Sequence, residues 1–137
     1  MRIDIASAVQ NVYDQIEQEL FVRAVNASND LKTAADEVLR GQRTGATYKS
    51  PASGTYTASA PGEPPADRTT NLRGNWRPVQ YGPSGRYPAI ESNVPYAWLD
   101  KGSPGGKIKP RPYSARIIEM ARPVIEARYA APYNVSP

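Results

Sequence analysis

The stretch IASAVQNVYDQIEQELFVRAVNASNDLKTAADEVLRG, residues 5–41, decides the fold. At about 100° per residue, Ile5, Val9, Val12, Tyr13, Ile16, Leu20, Ala24, Ala27, Leu31, Ala34 and Val38 fall within an arc of roughly 120°, one apolar stripe of helical period. All 10 glycines and 14 prolines of the 137-residue chain lie beyond Arg40, so composition itself marks the helix end. Asp4 stands where an N-cap is expected and Gly41 where a left-handed C-terminal glycine is expected. A helix over 5–40 is about 50 Å long, more than a small domain spans. It therefore either breaks at Asn26-Ala27-Ser28-Asn29, where helix propensity is poor, or projects one end from the body. Phe21, Val25 and Leu39 point away from the stripe, and Arg23 interrupts it. A helix with two apolar sides is gripped from two directions, within one subunit or by a neighbouring copy, and these three residues are candidates for a subunit interface.

Outward from the helix, residues 41–66 are Gly, Ser, Thr, Ala and Pro with two isolated tyrosines, ending in Ala60-Pro-Gly-Glu-Pro-Pro65. No periodicity there builds a core, so the segment reads as an extended arm with a short strand over 54–58. Tyr48 and Tyr56 join the candidate interface set. Over 68–101, β-branched and aromatic runs alternate with turn signals: Trp76 to Tyr81, Gly82-Pro83-Ser84-Gly85, Tyr87 to Ile90, and Val94 to Leu99. They predict a small antiparallel meander with Pro78 and Pro88 at edges or bulges, and with Trp76, Tyr96 and Trp98 filling its thin core. Pro112 suits the first turn of a C-terminal helix over 111–129 that carries Tyr113, Ile117, Met120, Ala121, Val124 and Ile125, and that Pro123 kinks or shortens. Residues 130–137 form a tail. The plan is a single α+β domain of long helix, Pro/Gly-rich arm, small antiparallel sheet and a C-terminal helix packed on that sheet.

The chain has no cysteine and no histidine, which excludes disulfides and thiolate chemistry and removes the usual zinc ligand and the usual general base. No metal, cofactor or catalytic set is expected. No run of about 18 apolar residues offers a membrane span. Met1-Arg2-Ile3-Asp4 does not open a secretory signal, so the expectation is a chain made and kept in a cytoplasm, with no membrane partner. Charge is segregated: residues 1–40 carry a net of −3, residues 41–116 a net of +7, and the remainder is neutral. A basic middle faces phosphates, an acidic protein surface, or simply water.

Three constellations invite chemistry. Gly102-Ser-Pro-Gly-Gly-Lys107 resembles a phosphate loop, but Lys101 stands where its first glycine belongs and Ile108 follows the lysine, so the pattern fails. Glu63, Asp67, Glu91 and Asp100 offer carboxylates for acid/base work without any spacing that demands it. Arg68, Arg73, Arg77, Arg86, Lys107, Lys109 and Arg111, interleaved with aromatic residues, are candidates for contact with a nucleic-acid backbone or an acidic partner. No helix-turn-helix or ribonucleoprotein motif accompanies them.

Three stretches in order resemble the small tail-completion, or neck, proteins of long-tailed bacteriophages, the group related to the phage lambda tail completion protein Z. Ser59-Ala-Pro-Gly-Glu-Pro-Pro65 with Thr69-Thr-Asn-Leu-Arg-Gly-Asn-Trp76 is similar to that family's Ala-Pro-Gly-Glu-Pro-Pro and Thr-Gly-x-Leu-Arg-x-Ser element. Tyr96-Ala-Trp-Leu-Asp-Lys-Gly-Ser103 is similar to its Tyr-Ala, hydrophobic, Glu-x-Gly-Thr pattern, and Arg111-Pro-Tyr113 to the Arg-Pro-Phe that opens its last helix. Asn71 replaces a frequent Gly, a tolerable exchange because Asn also enters left-handed backbone, and Asp100 replaces a longer Glu. The resemblance spans roughly residues 1–128. It implies a non-enzymatic virion protein, six or twelve copies of which form a ring between connector and tail tube, assembled in the host cytoplasm, touching adjacent neck, connector and tail-tube proteins and the genome DNA without sequence specificity. Two alternatives are a tail-terminator or head-closure ring, and a free-standing DNA-binding module that uses the basic 41–116 segment.

Overall fold

The long helix forms without a break. The computed structural model describes residues 1–41, 43–50, 54–66, 71–94 and 100–136, and α1 runs from Ala6 to Arg40. The polar Asn26–Asn29 stretch does not interrupt it because Ser28 is buried and satisfied. Its Oγ lies 2.8 Å from Ala24 O on its own helix and 2.8 Å from Val79 O on a neighbouring strand, and it accepts Gln80 Nε2 at 3.1 Å. Around it Ala24, Ala27, Ala34 and Ala35 are also buried, a seam of small side chains that lets other backbones approach the helix closely.

After α1 come β1 (Thr47–Ser50), β2 (Gly54–Thr57), a single helical turn α2 (Asn71–Gly74), β3 (Arg77–Tyr81), β4 (Tyr87–Glu91) and α3 (Ser114–Ala130). The strands form two separate antiparallel hairpins, β1 with β2 and β3 with β4, an α+β architecture. In the second hairpin Val79 faces Ala89 and Tyr81 faces Tyr87, while Pro78 and Pro88 pair with Ile90 and Gln80. Each strand of a two-stranded sheet is an edge, so a proline without an N–H is tolerated in either. The turn between β3 and β4 needs Gly85 for two reasons: its φ is +64°, and a Cβ there would stand 2.9 Å from Phe21 Cδ2. The third strand expected over Val94 to Leu99 falls largely on residues 95–99, outside the described residues, as do Tyr96 and Trp98.

The core lies between α1, α3 and the β3–β4 hairpin. Ala34, Ala35 and Leu39 meet Tyr113, Ile117 and Ala121, with Leu31, Val38, Trp76, Ile90, Val94 and Ile125 packed around them. Trp76 meets Tyr113 edge-on, ring centroids 5.9 Å apart. Leu39 is 1% exposed, which corrects its assignment to a subunit interface: α3 forms a second wall on the C-terminal half of α1, and Leu39 fills it. Phe21, although half-exposed, packs its ring on the β3–β4 turn, and Val25 is half-buried.

Both expected helix caps are shifted. Ile5 occupies the N-cap position, while Asp4 accepts the Ala6 N–H at 3.2 Å. Gly41 has φ −61° and is extended, not left-handed. The Arg43 guanidinium removes the need for a left-handed cap, donating to Val38 O at 3.1 Å and Gly41 O at 2.6 Å. α3 starts at Ser114, after Pro112, and Pro123 lies inside it on an exposed face without shortening it, where the carbonyl it leaves unpaired can reach water.

Ser28→Ala leaves the Gln80 amide and the Val79 carbonyl without their shared partner. It is expected to destabilise the protein by about 1–3 kcal/mol, read as a lower denaturant midpoint at unchanged slope.

Candidate functional site

Two features of the chain stand clear of its core, one at each end of α1. At the N-terminal end the apolar stripe continues past the point where the body stops covering it. Ile3 is 85% exposed, Ile5 71% and Tyr13 60%, with Val9 also exposed. What covers the next turns on one flank is the C-terminal tail. Gln15, Glu19 and Arg23, four residues apart on one edge of α1, read its backbone. Gln15 Nε2 donates to Ser136 O at 2.7 Å and Gln15 Oε1 accepts Ser136 N at 2.8 Å, while Glu19 Oε1 accepts Asn134 N at 2.8 Å. Arg23 donates to the carbonyls of Arg128, Tyr129, Ala131 and Pro132 at 2.7–3.1 Å and lies 3.8 Å from the Tyr133 ring centroid. The match is geometric, because four helical residues rise about 6 Å and two extended residues about 6.7 Å. These anchors end at Gln15, and the helix beyond them is bare.

At the other end of α1 the expected loop is a hairpin. The 41–66 segment contains β1 as well as the short strand foreseen over 54–58, with Tyr48 paired to Tyr56, ring centroids 5.6 Å apart. Tyr48 is 51% exposed and Tyr56 half-buried. The base of the hairpin is closed by Glu63, whose carboxylate accepts Thr44 N at 3.1 Å, Ala60 N at 2.9 Å and the Thr44 hydroxyl. The Thr44 hydroxyl first, then these amides, hold the Glu63 carboxyl at about 2 against an ordinary 4.5. Arg43 fastens the returning chain by donating to Pro64 O and Pro65 O at 2.7 and 3.0 Å.

Asp100 does the same for α3. Its Oδ1 accepts Tyr113 N at 2.8 Å and Ser114 N at 2.9 Å, and its Oδ2 accepts the Ser114 hydroxyl at 2.7 Å. Partial burial alone would raise its carboxyl, but the hydrogen bonds outweigh that and lower it. Tyr113, buried beside this carboxylate, is pushed up to about 12. Glu63 and Asp100 thus satisfy backbone donors with lowered pKa values, the opposite of the raised value a general acid needs. Glu91 pairs with Arg77, and Asp67 lies outside the described residues. An open cleft of about 650 Å³ lined by Lys32, Trp76, Arg77, Glu91 and Asn93 has those two charges satisfied by each other. Among the described residues no group of three acidic side chains gathers to hold a metal, and no helix is long and apolar enough to cross a membrane.

The basic candidates divide into separate places. Arg68 lies outside the described residues. Arg73 pairs with Asp36 at 3.6 Å, Arg77 with Glu91, and Arg86 with Glu17 at 3.8 Å, along opposite halves of α1 and the β3–β4 hairpin. Lys107 and Lys109 are exposed on the loop over 101–112, and Arg111 ties that loop to the arm through Ser59 Oγ at 2.9 Å. The tail ladder escaped the sequence reading, although a Gln, Glu, Arg series at four-residue spacing is a visible signal. Strand β1 escaped it too, although Tyr48-Lys-Ser50 and Gly54-Thr-Tyr56 mirror each other about Pro51-Ala-Ser53. No protein-family profile, curated protein or solved structure matches the chain.

Because the Glu63 value is lowered on folding, its contribution is present above about pH 4.5 and lost as pH falls toward 2. The protection of the Gly45 and Ala58 amides, the paired groups at the hairpin base, relative to their intrinsic exchange rates is expected to fall as pH drops across that window, and Glu63→Gln to remove that loss of protection. Asp100→Ala removes the acceptor for two N–H groups at the start of α3 and is expected to cost about 1–2 kcal/mol, read by thermal unfolding.

Proposed function

We propose that this chain is a structural subunit of the neck or tail junction of a long-tailed bacteriophage, several copies of which form a ring that completes the tail and joins it to the head connector around the DNA channel. The observation that carries this reading is the projecting end of α1, where an apolar stripe continuous with the core stands exposed at Ile5, Val9 and Tyr13. Contiguous exposed apolar surface of this kind marks a contact surface. The total surface supports the same reading. The chain exposes 9310 Å², whereas a compact monomer of its 15.0 kDa exposes about 7000 Å². The excess of roughly 2300 Å² is more than the two half-interfaces of about 800 Å² each that one subunit contributes to a ring.

The residues behind the family resemblance have architectural roles, which suits an assembly protein better than a catalyst. Glu63 closes the arm, Trp76 packs on Tyr113, Asp100 caps α3, and Arg111 joins loop to arm. A DNA-binding module is the second reading, favoured by the exposed Lys107 and Lys109 beside Lys101 and Arg111 on one loop. If these four cations alone meet phosphates, log affinity for duplex DNA falls against log salt with a slope of about −3 to −4.

Replacing residues 47–57 by a short Gly linker removes the hairpin but keeps the Glu63 and Arg43 clasps. The variant is expected to keep its helical circular dichroism and to lose head-to-tail joining. Normal particle yield would overturn the neck reading. Filled heads beside free tails of normal length would mark a joining role, overlong tails a terminator, and empty heads a closure role.

A further inference from the structure

We propose that the bare N-terminal turns of α1 are the docking surface for the β1–β2 hairpin of a second copy of this chain, so that subunits join head to tail. This inference rests on the ring reading above and names its two contact surfaces. The hairpin leaves α1 at Arg40, and the bare surface is residues 3–13 at the opposite end of the same unbroken helix. They are separated by about 40–50 Å of helix, while strands of four residues reach only about 13 Å. Glu63 and Arg43 also clamp the hairpin base to the C-terminal end of α1. One chain cannot bring the two together. Two chains can.

The surfaces are complementary in kind. The hairpin presents a Tyr48–Tyr56 pair on one face, and a two-stranded hairpin is marginal in water without an apolar surface to lie on. Ile5, Val9 and Tyr13 supply such a surface. They are complementary in charge as well. The hairpin itself carries Lys49 and no carboxylate, whereas the bare turns carry Asp4 and, at their edge, Asp14, beside Arg2. Lys49 can meet Asp4 or Asp14 in this pairing, an opposite-sign contact to the hairpin that the symmetric pairing of two helix ends lacks. A contact between two different patches is heterologous, and repeating it closes a ring when the rotation permits.

The chain has no cysteine, so disulfide trapping reads the interface directly. Val9→Cys and Tyr48→Cys, both at exposed positions, are purified separately, checked by circular dichroism, mixed and mildly oxidised, with mass followed by sedimentation. The expected result is a mixed disulfide between the two variants, and a ladder of covalent oligomers from the chain that carries both changes. Oligomers in which only Val9→Cys joins to itself would overturn the proposal in favour of helix-to-helix pairing and leave the ring reading standing. Oligomers with neither disulfide would overturn it likewise. A chain that stays monomeric at every concentration and forms neither disulfide would overturn it too. Rings that carry the mixed disulfide but never enter particles would support the interface and sink the neck role.

Discussion

The structure depends on how closely other backbones can approach the middle of α1. Ala24, Ala27, Ser28, Ala34 and Ala35 leave almost no side chain between the helix axis and its neighbours, and Ser28 bonds directly to the backbone of β3. A Leu at any of these five positions would push the β3–β4 hairpin or α3 outward and open the contacts among Leu39, Tyr113 and Ile117. The same choice limits stability. Among the described residues, five of the eight buried side chains of hydrophobic type other than proline are alanines, each contributing little transferred surface.

Helix faces walled by alanine shift work onto polar joints. Arg43, Glu63, Asp100 and Arg23 each bind backbone groups of a distant or returning segment: the end of α1, the base of the hairpin, the start of α3 and the tail. Each converts a loop that buries little into one with a fixed exit direction. In the ring proposed above, exit direction matters more than loop burial, because two rigid contact surfaces must be held in one orientation for a ring to close.

How much of this was legible follows from the range of each interaction. The α1 helix was readable because its period repeats over many turns without Gly or Pro, and β3–β4 because its turn signal is local. Strand β1 was not, since Thr47 to Ser50 has no apolar alternation and depends on pairing with β2 and on Glu63 at its base. Leu39 belongs to the core because the second wall, which a helical wheel cannot assign to the same chain or to a neighbour, is supplied by α3, far along the chain. Gly41 stays extended because the Arg43 side chain reaches back over the helix end. The basic residues looked like one surface in sequence and are several places in space. Arg73 and Arg86 find their carboxylates on α1, Asp36 and Glu17, partners that no local pattern announces.

The rod itself sets the kind of assembly available. A helix of 35 residues spans about 52 Å, and the body covers its central and C-terminal turns. Whatever binds its free end must therefore come from outside the chain or leave that apolar surface in water. A symmetric dimer of two free ends would bury the stripe but would leave both hairpins bare, one at each far pole. Head-to-tail contact satisfies both ends of every copy with a single interface repeated. Under the proposed contact the free helix end and the hairpin of every copy are covered together, whereas the symmetric dimer, whose subunits are equally equivalent, covers the helix ends alone.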